Sequence, residues 1–245
     1  MNPLLELKNV SKRFGGLRAV KEVSFTMQPG EILFVIGPNG AGKTTVFNLI
    51  SGFLHPDEGS ITFSGHDVSR VPPHDMARLG IGRTFQIVKP LPSLTVLQNV
   101  MLGAFMHTGN VRQAEEEAGK ILGFLQMSQV KDFLARGLPL ASLKRLEIAR
   151  ALATKPRLIL LDEVVSGLTT AEALALAALV KRLPEWGVSV VGGVEHVMQV
   201  VMKIADRIVV LDYGSKIAEG KPEEIVRNPA VIEAYLGSRY KEIAR

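Results

Sequence analysis

A chain of 245 residues is long enough to bury a full core and fits one large domain or one domain with a modest insertion. Its hydrophobic fraction of 47% is high, yet the longest uninterrupted apolar run, residues 173–180, holds eight residues, too few for a transmembrane helix. The net charge of +5 is scattered, with small basic groups at 144–145 and 239–241 and no dense basic run carrying aromatics, so a solvated surface is expected and no nucleic-acid partner.

Residues 1–14 lack the charged, apolar and small-residue regions of an export signal, so export is not expected. The absence of cysteine excludes disulfides and fits a reducing cytosol. Residues 4–10 and 19–27 have strand-like apolar patterning, and Gly30 introduces the apolar run Ile32–Ile36, which reads as a buried strand. A helix is expected to begin at Lys43. Between strand and helix stand Gly37, Pro38, Asn39, Gly40, Ala41, Gly42, Lys43, Thr44 and Thr45, of the form G-x-x-x-x-G-K-T. Glycines let backbone N–H groups close around phosphate oxygens, Lys43 reaches the β- and γ-phosphates, and the Thr44 hydroxyl can sit on Mg²⁺. A plain tight turn is the competing reading, but a chance match in a chain this long is about one in a hundred.

A strand follows at 60–64. From 72 to 137 the character changes: Pro72, Pro73, Pro90 and Pro92 punctuate helical segments at 95–105 and 112–126, with a short strand candidate at 80–85, and this middle third reads as a helical insertion. After Leu143 an α/β pattern resumes, with a helix to about 154, strands at 158–161, 188–194 and 207–211, and helices at 170–183 and from 197. Such alternation argues for a largely parallel sheet with flanking helices.

The run LILLDE (158–163) ends in two carboxylates at the carboxyl end of a strand buried on both faces, where ligands gather. Asp162 is placed there to hold Mg²⁺ through water, and Glu163 to orient or deprotonate an attacking water. An acidic pair capping a strand end is the plain alternative. Gln86 is either a surface glutamine or a group reaching Mg²⁺ or the water. His196, at a strand-to-helix junction, can hydrogen-bond a γ-phosphate oxygen, although only its location distinguishes it. Phe14 is either core or a stacking partner for adenine. Met198 and Met202, Trp186, and residues 115–117 read respectively as core packing, a packing anchor and a solvated helix face.

The order and spacing of the phosphate loop, Gln86, LILLDE and His196 resemble an ABC transporter nucleotide-binding subunit over essentially the whole chain. Segments 11–25, 81–86, 146–154, 195–220 and 231–237 are similar to the ATPases of branched-chain amino-acid importers. The resemblance implies an α/β P-loop NTPase core of the ABC ATPase type, with a mostly parallel sheet, an N-terminal antiparallel β part, a helical subdomain inserted at 87–145 and a helical tail at 222–245. It implies ATP and Mg²⁺ as cofactors. It also implies a second ATPase subunit in a head-to-tail dimer, peripheral on the cytoplasmic face of the inner or plasma membrane, two transmembrane permeases above that dimer, and an extracytoplasmic binding protein. Phe14 then stacks adenine, Gln86 couples to the permease, Glu163 is the base and His196 the γ-phosphate switch.

Three departures from the family pattern stand out. The signature, usually LSGGQ, reads Leu138-Pro139-Leu140-Ala141-Ser142, which removes a hydroxyl, an N–H and two glycines; Ser142 is left as a replacement donor. Val164, Val165 and Thr169-Thr170 replace the usual residues after the base. Gly192 and Gly193 interrupt an apolar strand and are expected to weaken its packing. The leading expectation is an importer ATPase, active where a partner supplies a good signature. The alternatives are a non-transport ABC ATPase acting on nucleic acid or ribosomes, and a regulatory subunit that binds ATP without hydrolysis.

Overall fold

The computed structural model describes residues 2–84, 89–193 and 198–236. In chain order the elements are β1 (Leu5–Phe14), β2 (Leu17–Met27), β3 (Ile32–Ile36), α1 (Lys43–Ile50), β4 (Glu58–Phe63), β5 (His66–Asp67), α2 (Pro73–Leu79), β6 (Ile81–Arg83), α3 (Val96–Ala104), α4 (Val111–Phe124), α5 (Leu140–Leu152), β7 (Leu158–Asp162), α6 (Thr170–Val180), β8 (Ser189–Gly193), α7 (Met198–Ile204), β9 (Arg207–Asp212), β10 (Ser215–Gly220), α8 (Pro222–Ile225) and α9 (Pro229–Leu236). Among the described residues they build two sheets. One is antiparallel, ordered β2-β1-β4-β5; the other is ordered β10-β9-β3-β8-β7-β6 and is parallel except for its edge strand β10.

Alternation along the central strands divides the interior in two. Ile32, Phe34 and Ile36 face one core with Ile159, Leu161, Val190 and Val210, under α4, α5 and α6. Leu33 and Val35 face the other with Leu158, Leu160, Val191 and Val209, where α1 and the antiparallel sheet close it. Because both faces are covered, all five residues of β3 and of β8 are buried, as parallel strands require. Parallel pairing also brings the carboxyl ends of β3, β8 and β7 to one edge of the sheet.

Helix starts follow local chemistry. Thr95 and Thr169 each form a reciprocal capping box with the residue three positions on, Gln98 and Glu172. The Glu172 carboxyl is held below its ordinary range by the Thr169 hydroxyl and backbone N–H. Met198 and Met202, on α7, pack against the core, as their spacing suggests.

Several expectations are corrected. The helix expected over 170–183 stops at Val180 and gives way to a 3₁₀ turn, Leu183–Trp186, where Pro184 has no N–H to continue the α pattern. Trp186 packs tilted against Phe124 with ring centroids 4.5 Å apart but remains 43% exposed, so it is a packing contact at the surface rather than in the core. Glu115 and Glu116 are exposed as expected, while Glu117 is half-buried and its carboxylate meets the Lys155 ammonium at 2.7 Å, which holds its pKa low. Gly192 and Gly193 do not loosen β8. A Cβ at Gly192 would fall inside the Phe34 ring, and one at Gly193 would come within 3.0 Å of Phe47, so the glycines admit two aromatic rings to the strand.

Candidate nucleotide-binding site

The phosphate loop leaves β3 and enters α1 through Gly42, whose φ of +100° makes it a left-handed N-cap. A Cβ there would run into the Ala19 carbonyl, so both conformation and space demand glycine. Among the described residues no side chain caps α1, which leaves its first N–H groups without a capping partner from a side chain. Lys43 is buried, and its ammonium donates to the carbonyls of Gly37 and Pro38 at 2.8 and 2.9 Å, which fixes the charge at the mouth of the loop. Thr44 is exposed.

A cavity of about 370 Å³ opens beside the loop, lined by Phe14, Ala19, Lys43, Thr44, Thr45 and Tyr213. Phe14 ends β1 and is 47% exposed, which rules out the core reading for this residue. Tyr213, 79% exposed and in a left-handed turn between β9 and β10, faces the same space. Its position after a strand end gave no sequence signal, because the turn that brings it there joins a strand not legible in the pattern.

Asp162 ends β7 at the same sheet edge. Its carboxylate accepts from the Arg83 guanidinium at 3.1 Å, and both side chains are nearly buried. Arg83 also donates to the Asn48 amide oxygen and the Ser51 hydroxyl, each at 2.7 Å, both on or just after α1. Burial pulls the Arg83 pKa down and the Asp162 charge opposes that shift. Glu163 follows in left-handed backbone, φ +49°, with its N–H donating to Gly193 carbonyl at 3.0 Å across to β8. The Glu163 carbonyl in turn accepts from Ser166 N–H at 3.1 Å and from the Lys144 ammonium at 3.3 Å. Lys144 is therefore no surface cation: it is buried, carried inward by α5 toward the corner that holds Glu163. Gln86 and His196 lie outside the described residues.

The altered signature has a structural counterpart. Pro139 is the N-cap of α5 and offers no side-chain bond to it. Leu140 and Ala141 form the first turn, with Leu140 43% exposed, and Ser142 follows as the third helical residue. A separate cavity of about 460 Å³ runs between α2 and β6 on one side and α3 and α5 on the other, lined by Phe53, Arg83, Leu102, Glu147 and Arg150.

Residues 20–166 match the ABC transporter family. The chain belongs to that family. Residues 215–241 also match the branched-chain amino acid ATP-binding cassette transporter family. The ABC cassette is 40% identical to a probable branched-chain amino acid transport ATP-binding protein LivG of Archaeoglobus fulgidus, covering 98% of both chains. It is 38% identical to the high-affinity branched-chain amino acid transport ATP-binding protein BraF of Pseudomonas aeruginosa, covering 96% of this chain and 98% of the relative. Its fold matches the ADP conformation of an ATP-binding cassette of an ABC transporter with a TM-score of 0.88 at 32% identity, over 97% of this chain and all of that one. A dimeric cassette in a post-hydrolysis state bound to ADP and phosphate matches with a TM-score of 0.79 at 27% identity, over 89% of this chain and 98% of that one.

Proposed function

We propose that this cassette is the ATP-binding, energy-coupling subunit of a branched-chain amino-acid importer. The observation that carries the reading is the opening of the phosphate loop onto the same sheet edge as Asp162 and Glu163, in a chain 38–40% identical to importer ATPases along nearly its whole length. The N–H groups of Gly40 to Thr45 and the Lys43 ammonium bind the phosphates, and Phe14 stacks on the adenine. Mg²⁺ fits the donors at this edge, because the Thr44 hydroxyl and the Asp162 carboxylate are hard oxygen ligands. When bound, that ion neutralises charge on the β- and γ-phosphates.

Glu163 orients or deprotonates the attacking water, and Gln86 and His196 respond to the γ-phosphate. Ordinary hydrolysis in such a pair of cassettes needs a signature from the partner. Pro139, Leu140 and Ala141 make this chain a poor donor of one, so its partner is a different ATPase, and two permeases dock from the membrane onto the cleft lined by Phe53, Arg83 and Leu102. No helix among the described residues is long and apolar enough to cross a membrane.

The test is reconstitution of the cassette with a second ATPase and two permeases, followed by ATP turnover and amino-acid uptake. The assembled complex is expected to hydrolyse Mg-ATP while the isolated chain binds it and turns it over slowly. Glu163→Gln is expected to lower turnover about 100- to 10,000-fold with nucleotide binding retained. Wild-type turnover in that variant would remove Glu163 as the base, and a chain that binds no ATP would end the reading altogether.

A further inference from the structure

Arg83 stands where three parts of the cassette meet. Its guanidinium bridges Asn48 and Ser51, on and just after the helix that carries the phosphate loop, to Asp162 at the end of β7. Its side chain is only 9% exposed, and that of Asp162 13%, so the bridge is shielded from solvent and from salt. A planar guanidinium with several donors in fixed directions fixes the angle of what it binds, which an ammonium on a flexible stem does not. Arg83 also lines the cleft between α2, β6, α3 and α5, and its charge lies 5.5 Å from the Phe53 ring centroid at the rim of that cleft.

We infer that Arg83 is the positioning residue that aims the Asp162 carboxylate, so that the site's affinity for the metal in metal–ATP is set through this bridge. The inference rests on the nucleotide reading above. One carboxylate oxygen, Oδ2, is committed to Arg83, which fixes the plane of the carboxylate and the direction of the other oxygen. Second partners of this kind typically contribute 10- to 100-fold in metal affinity or activity when removed. Since Arg83 is anchored on the α1 side by Asn48 and Ser51, a shift of α1 against β7 re-aims Asp162. A ligand seated in the cleft against Phe53 has the same lever.

The measurement is the nucleotide Kd of the full chain with a fluorescent ATP analogue, once in EDTA and once in excess Mg²⁺. Their ratio reports how strongly the protein couples to the metal, independently of turnover. Arg83→Gln is expected to leave the Kd in EDTA within about twofold and to shrink the ratio about tenfold. Arg83→Lys, which keeps charge but loses the fork, is expected to fall between. The double variant Asn48→Ala with Ser51→Ala, which touches neither Asp162 nor the loop, is expected to shrink the ratio in the same direction by less, and it decides the matter if Arg83→Gln does not fold. An unchanged ratio in a folded Arg83→Gln chain, or in the double variant when that chain alone folds, overturns the inference. Failure of the wild-type chain to bind the analogue at all, with or without Mg²⁺, overturns the nucleotide reading instead.

Discussion

Glu163 holds a backbone conformation that costs a residue with a Cβ about 1–2 kcal/mol, and three bonds keep it there: to Gly193, to Ser166 and to Lys144. That over-determination fixes the direction in which the Glu163 side chain leaves the main chain. The same corner depends on Gly192, next to the strand end that accepts from Glu163. A methyl group at Gly192 meets the Phe34 ring, itself 3% exposed and packed in the core, so the ring has no solvent-side path of escape. Gly192→Ala is therefore expected to destabilise the fold by about 1–3 kcal/mol, the usual cost of overpacking a filled interior. The denaturant midpoint at constant m-value measures it, and a loss below about 0.5 kcal/mol would mean that Phe34 moves aside freely.

At the scale of elements, α3 lines the cleft with Leu102, and its start is fixed by the reciprocal bonds of Thr95 and Gln98. Thr95→Ala removes one half of that box and is expected to cost about 1 kcal/mol of stability, read by equilibrium unfolding. Serine at the same position, which keeps the hydroxyl, is expected to restore it. Elements of this sort are legible in a sequence because their causes are local: the run Ile32–Ile36, the loop after it and the capped helices all follow from neighbours a few residues apart. β10 escapes because its residues are half-exposed and polar along an edge, with Lys216 and Glu219 paired to each other, so no apolar alternation marks it. α2 is short, begins at a proline and buries only Met76. In the site, the loop and the carboxylate pair are legible for the same local reason. Arg83 and Lys144 are not, since their partners at Asp162 and Glu163 lie 79 and 19 residues away and are brought near by sheet order and helix packing.

At the scale of the whole molecule, the proposed head-to-tail pairing would have a cassette supply its phosphate loop to one composite site and the start of α5 to another. The loop end is built to receive an anion: α1 starts without a side-chain cap and Lys43 is fixed at its mouth. The α5 end is built otherwise, since Pro139 brings neither hydroxyl nor N–H, and the exposed Leu140 stands where a glycine allows the backbone to approach a phosphate. Two copies of this chain would close both sites with that inferior end, whereas a partner with a complete signature closes the site that contains Glu163. Replacing the end directly tests this. The triple change Pro139→Ser, Leu140→Gly and Ala141→Gly restores a donor hydroxyl and close approach at a cost of about 0.5–1 kcal/mol for each helical glycine. Hydrogen bonds to a charged group contribute about 1.5–3 kcal/mol each, so even one recovered bond raises ATP affinity at the closed dimer about tenfold or more. The isolated triple variant is expected to form an ATP-dependent homodimer in the Glu163→Gln background, seen by sedimentation, and to turn over Mg-ATP about tenfold faster than the parent chain when Glu163 is intact. If dimerisation and turnover both stay at the parent level in a folded variant, the α5 end is not what limits the isolated chain, and asymmetry must be sought elsewhere in the dimer interface.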